Sequence, residues 1–219
     1  MDVSVARSRL SRDDRMEQTL TAARALFAER GYAAVTMDEI AAAIGVTKPL
    51  LYNYFGNKER LYTACMERAG DSLTATVADA VAATASPGDA LGAGVRAFFS
   101  FLDSDRAAWA VLFDETLPRG GEVAERVASY RGRILDLVSA SMLTQLPQGR
   151  RDAARVEIEA LSVALLGAAE ALARWWLHTE ALSAEEAADL LISTIEPGLR
   201  SRSGQSPSSR HPQGGTTNR

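Results

Sequence analysis

Between positions 36 and 58 lie Thr36, Thr47, Lys48, Pro49, Leu50, Tyr52, Asn53, Tyr54 and Lys58. These are the side-chain types that meet a nucleic acid. Hydroxyls and ammonium groups bond phosphate oxygens, an amide pairs with adenine, and small apolar groups cover thymine methyls. Such chemistry needs a rigid mount. Thr36 with Glu39 is a capping box that opens a helix through Ile44, and Gly45 permits a sharp turn. Thr47 caps the next helix, which tolerates Pro49 in its first turn and ends at Phe55-Gly56. That helix is about 10 Å long at ~1.5 Å per residue and fits a major groove about 12 Å wide. Ile40, Ala41, Ile44, Val46 and Leu51 supply apolar surface to pack the two helices on each other and on Phe27. The layout is a helix-turn-helix whose second helix enters the major groove.

The flanks read as helices too. Met16, Leu20, Ala23 and Phe27 mark one face of a helix over 12–30, with Gly31 placed to end it. Asn57 caps a fourth helix running from Lys58 to about Ala83. Further helices are predicted from Asp89, from Ser104/Asp105, over about 122–146 and over 151–178. A capping box of Ser183 and Glu186 begins a last one, which Pro197-Gly198 closes. No segment alternates as a strand would. The expected fold is all-α, about nine helices. It divides into an arm (1–11), a three-helix DNA-binding domain (12–57), a larger helical domain (58–200) and a Ser/Gly/Pro-rich tail without apolar residues (201–219), expected to be disordered.

Composition narrows the function. The single cysteine, Cys65, leaves no internal disulfide, and the two histidines, His178 and His211, are far apart. Neither a metal site nor a base–nucleophile constellation is suggested, so no enzyme, metal or cofactor is expected. No apolar run reaches the roughly 20 residues of a membrane span, and the charged N-terminus is unlike a signal peptide, so a cytoplasmic protein is expected. The net charge is −4, yet residues 1–60 hold nine basic and eight acidic residues, a local +1. A small helix-turn-helix needs positive charge at the phosphates rather than over the whole chain.

Residues 19–66 resemble the DNA-binding domain of the TetR family of bacterial transcriptional regulators. The resemblance rests on AARALFAERGY at 22–32, TMDEIAAAIGV at 36–46, TKPLLYNYF at 47–55 and NKERLY at 57–62. It implies three helices that bind DNA and about six that regulate and dimerise. It also implies a homodimeric repressor, released from a near-palindromic operator by an unknown small-molecule effector. By the same resemblance Thr47 and Lys48 contact bases and phosphates, Tyr52 and Tyr54 contact phosphates, and Lys58 anchors to the DNA backbone. Asn57 replaces a more common serine, and Thr19 replaces a large aliphatic residue.

In the remainder, Phe98, Phe101, Trp109 and Phe113 fall on helices that the family uses for its ligand cavity, which implies a small apolar or amphipathic ligand. Aromatics at helical spacing are also ordinary core residues. Glu170 and Arg174, four apart on an otherwise apolar helix, read either as a salt bridge at a dimer rim, the favoured reading, or as a polar handle for a ligand. Leu161, Leu165, Ala168 and Leu172, with Leu190, Leu191 and Ile195, form the stripes expected at a dimer interface. The expected partners are double-stranded operator DNA, a second copy of the chain and the ligand, with no membrane.

Overall fold

The structure, a computed structural model, describes residues 11–114, 117, 120–179 and 181–204. Among them are nine α-helices and no strand: α1 (Arg12–Ala34), α2 (Met37–Ile44), α3 (Lys48–Phe55), α4 (Lys58–Ala82), α5 (Ala90–Ser104), α6 (Arg106–Leu112), α7 (Glu122–Thr144), α8 (Arg151–Thr179) and α9 (Ala184–Gly204). The expected all-α class and helix number are observed. Residues 1–10 of the expected arm and 205–219 of the expected tail lie outside the described residues.

The short helices are set by their ends. Thr36 and Glu39 form the reciprocal capping box at α2, with Glu39 N–H donating to Thr36 Oγ1 at 3.3 Å and Thr36 N–H donating to Glu39 Oε2 at 2.8 Å. Gly45 terminates α2 at φ 67, a left-handed conformation that only glycine adopts without strain. Asn57 accepts from Arg60 N–H at 2.8 Å and starts α4. Ser183 and Glu186 cap α9 as the sequence predicts.

Two helix ends differ from expectation. The backbone kinks at Gly31 (φ 74) but a further turn carries α1 on to Ala34. Helix α9 runs through Pro197 to Gly204 instead of closing at Pro197-Gly198. A proline removes one N–H and crowds the preceding turn, which here does not end the helix.

The main core is continuous from the first helix to the last. Phe27, Ile40 and Leu51 join α1, α2 and α3, while Leu61, Tyr62 and Met66 of α4 carry the same core into the larger unit, where Phe99, Leu102 and Val111 are enclosed. Thr19, in a place of large aliphatics, is buried with its hydroxyl donating to the Arg15 carbonyl at 2.8 Å. A small second cluster of Met142, Leu146 and Ile158 closes the far end of α7 and α8. Helix α4 is thus shared by the helix-turn-helix and the larger helical unit.

Candidate nucleic-acid interface and regulatory cavity

Helix α3 buries Leu51 and Phe55 and turns Lys48, Pro49, Tyr52 and Asn53 outward; Leu50 and Tyr54 are half-buried. Leu51, fully enclosed, fixes the helix rotation, so the outward face follows from the packing. Thr47 is the N-cap of α3 but makes no side-chain capping bond, which leaves its exposed hydroxyl outside the helix's own bonding. Lys48 Nζ lies 2.8 Å from Asp38 Oδ1 and 5.9 Å from the Tyr52 ring centre. The bond to Asp38 pushes the lysine pKa up and holds the charge over the exposed face. The Arg12 guanidinium lies 5.7 Å from the Tyr54 ring centre. Hydroxyls, an amide and a positive charge therefore share one exposed, rigid surface.

Two of the expected contacts have other duties in this structure. Thr36 Oγ1 donates to Glu39 Oε2 at 2.8 Å, so its hydroxyl proton is engaged in the capping box. Lys58 Nζ donates to the carbonyls of Tyr32 at 2.9 Å and Val35 at 3.0 Å and sits 4.4 Å from the Tyr32 ring centre. It therefore acts as a C-terminal cap for α1, where unsatisfied carbonyls attract a cation. The sequence missed this because the acceptors lie 26 and 23 residues away.

The reading unit is bolted to the rest. Asp105, the N-cap of α6, pairs with Arg24 of α1 at 2.6 Å. Asp114, just past the other end of α6, accepts from Tyr32 N–H at 2.7 Å. Tyr62 donates its buried hydroxyl to the Val111 carbonyl at 2.6 Å, and burial raises its pKa. Phe27, Tyr32 and Tyr62 pack edge-on or stacked around this junction. Cys65 is buried beneath it, which pushes its thiol pKa up to about 12 and leaves it an inert core residue near neutral pH.

In the larger helical unit, the aromatics part company. Phe98 and Phe113 line an apolar cavity of about 30 Å³ between α4, α5, α7 and α8, together with Leu73, Tyr130 and Glu170. Phe98, Ile134 and Leu166 also wall a second apolar cavity of about 50 Å³ between α4, α5, α7 and α8. Phe101 and Trp109 are buried in the core, with Trp109 stacked on Phe113 at 4.0 Å. Glu170 does not pair with Arg174. It reaches across to Arg131 of α7, while Arg174 is exposed. The two are four apart on α8, but Glu170 faces inward and Arg174 outward. Burial raises the Glu170 pKa and Arg131 opposes that rise.

The proposed dimer stripes are also partly redirected. Leu165 and Leu191 are buried in the chain's own core, Leu161, Leu172 and Ile195 are half-buried, and Ala168 and Leu190 are exposed. The outward apolar line of α8 is instead Val156, Val163 and Trp175, with Ala160, Gly167 and Ala171 between them. Among the described residues no group of three His, Cys, Asp or Glu could hold a metal, and no helix is long and apolar enough to cross a membrane.

Comparison with known proteins agrees with this geometry. Residues 20–65 match the family model described as bacterial regulatory proteins, tetR family, and residues 87–196 match the tetracyclin repressor-like C-terminal domain. The chain is 33% identical over 177 residues to the HTH-type transcriptional activator FasR of Mycolicibacterium smegmatis, covering 79% of this chain and 77% of that protein. Among solved structures, a TetR-like transcriptional regulator from Rhodococcus sp. RHA1 is 31% identical with a TM-score of 0.73, covering 88% of this chain and 99% of that one. AibR, solved in complex with isovaleryl coenzyme A and operator DNA, is 25% identical with a TM-score of 0.68, covering 84% and 98%.

Proposed function

This chain belongs to the TetR family of bacterial regulatory proteins, and from that premise we propose that it is a cytoplasmic, homodimeric repressor released from its operator by a small apolar or amphipathic ligand. The DNA-binding role of the family rests here on one observation above others: the buried Leu51 and Phe55 lock α3 so that Thr47, Lys48, Tyr52 and Asn53 face outward together. Two copies would set two such helices in successive major grooves of a near-palindromic site. The outward line of Val156, Val163 and Trp175 on α8, with Leu190 on α9, supplies apolar surface for the second copy.

Release needs a ligand that binds one conformer better than the other. The apolar cavity is suited to that work because its walls touch both connections to the reading unit. Leu73 and Gly70 belong to α4, and Phe113 is next to Asp114, which holds the Tyr32 N–H. A ligand that spreads the cavity would move α4 and the end of α6 and alter the spacing of the two α3 helices. AibR, crystallised with both an acyl-coenzyme A and operator DNA, supports a ligand-responsive reading of this fold.

The test is a reporter driven by DNA upstream of the protein's own gene, read with and without the protein, with sedimentation giving the oligomeric state. A repressing dimer lowers reporter output; a monomer, or no effect on output, overturns the reading. A second reading, activation, is favoured by the activator FasR at 33% identity. It predicts that the same protein raises output.

A further inference from the structure

Glu170 is the one charged residue that the regulatory core encloses among the described buried residues, at 8% exposure. One oxygen, Oε2, meets Arg131 of α7, whose side chain is half exposed. The other, Oε1, is wholly enclosed and has no hydrogen-bond partner. Glu170 lines the apolar cavity together with Phe98 and Phe113. A buried acceptor without a donor is costly, and native proteins hold few of them.

From this geometry we infer that Glu170 selects the effector: the site takes an uncharged apolar compound that carries a hydroxyl or other neutral donor at one end. This rests on the ligand-responsive reading above and gives it a ligand chemistry. The donor bonds Glu170 Oε1, and the apolar body passes Phe98, Ile134 and Leu166 into the second cavity, whose wall those three side chains share. The half-exposed Arg131 meets only Oε2, so Oε1 remains an acceptor for a neutral donor. A carboxylate head placed there would meet the Glu170 charge at close range in apolar surroundings, where like charges repel most strongly. Volumes of about 50 and 30 Å³ are far below the roughly 300–1,000 Å³ of a formed small-molecule site. The compound must therefore part α5, α7 and α8, and binding is tied to a change of shape.

Trp109, stacked on the cavity residue Phe113, provides the signal. Binding of 1-decanol and of decanoate is titrated by tryptophan fluorescence on the full chain at pH 8. Wild type is expected to bind the alcohol at least tenfold more tightly than the acid. Glu170→Leu should lose roughly tenfold for the alcohol, about the worth of one hydrogen bond to a charged acceptor, and gain for decanoate. Glu170→Gln, which keeps an acceptor, should keep the alcohol while losing the discrimination against the acid. Circular dichroism checks that each variant is folded. The inference is overturned if decanoate binds wild type as tightly as the alcohol, if Glu170→Leu binds the alcohol unchanged, or if neither compound binds. Operator binding by the unliganded wild type is measured beside it. Intact operator binding with failed alcohol binding sinks this inference and leaves the regulator reading standing.

Discussion

The helix-turn-helix and the regulatory unit use polar residues in opposite ways. Around α2 and α3 the polar groups are outside, held by partners three to ten residues away: Glu39 by Thr36, Lys48 by Asp38. In the regulatory unit the telling polar group, Glu170, is inside and held by a residue 39 positions away in sequence. A surface that reads DNA must stay wet and rigid, so short caps and turns build it. The cavity proposed to take a ligand is apolar, and packing between distant helices builds it.

The largest break in this comparison is expected at Leu51, the enclosed residue that sets the rotation of α3. Leu51→Ala should cost about 2–5 kcal/mol. Thermal unfolding should show it, and DNA binding should fall with the fold. A similar loss of stability is expected from Gly70→Ala at a distance from α3. A Cβ there would lie 2.6 Å from Tyr130 Cδ1, so the Tyr130 ring must shift or α4 must part from α7, at a cost of about 1–3 kcal/mol. Operator affinity should drop without any ligand, because the wedge imitates an opened cavity. Unchanged affinity in a folded variant would show that α4 does not transmit cavity opening.

Asp114→Ala removes the acceptor of the Tyr32 N–H, a loss of about 1–3 kcal/mol if that donor stays dry. The comparison assigns Asp114 to coupling rather than reading. Ligand-free operator affinity should change little, and ligand-driven release should weaken. Equal loss in both measurements would place it in the reading unit.

The smallest effect is expected at the α2 cap, where Thr36→Ala should cost about 0.5–2 kcal/mol. The bonds from Thr36 and the Arg30 guanidinium hold the Glu39 carboxyl down to about 2. A depressed carboxylate stabilises the fold above its unfolded value near 4.5, and that contribution fades as pH falls from about 4.5 to about 2. Acid titration of wild type and Thr36→Ala should therefore converge at the low end of that window. Curves that stay parallel would remove Glu39 from the account.

What the sequence revealed follows the same divide. The capping boxes at Thr36 and Ser183 and the turn at Gly45 are rules of three or four residues, and each is found where the sequence predicts it. Membership of the family was likewise legible in 19–66. Less local features were not. The capping of α1 by Lys58 was hidden because its carbonyl partners lie 26 and 23 residues before it. Helix α8 is apolar on several sides, so periodicity alone did not tell that Leu165 faces inward and Val163 outward. Glu170 could be paired on paper with Arg174, one turn along; only the packing of α7 on α8 brings Arg131 to it.

The central claim is that the exposed face of α3 reads DNA. Fluorescence anisotropy tests it most directly, comparing wild type with the Lys48→Ala/Tyr52→Ala double variant on labelled upstream DNA over a series of salt concentrations. Both residues are exposed, so the variant should keep the wild-type circular dichroism and melting temperature. The account predicts a salt-sensitive preference of wild type for one upstream segment. In the double variant that preference should be lost, with a salt slope shallower by about one for the missing lysine–phosphate contact. A folded double variant that binds the same segment with wild-type affinity and salt slope would contradict it.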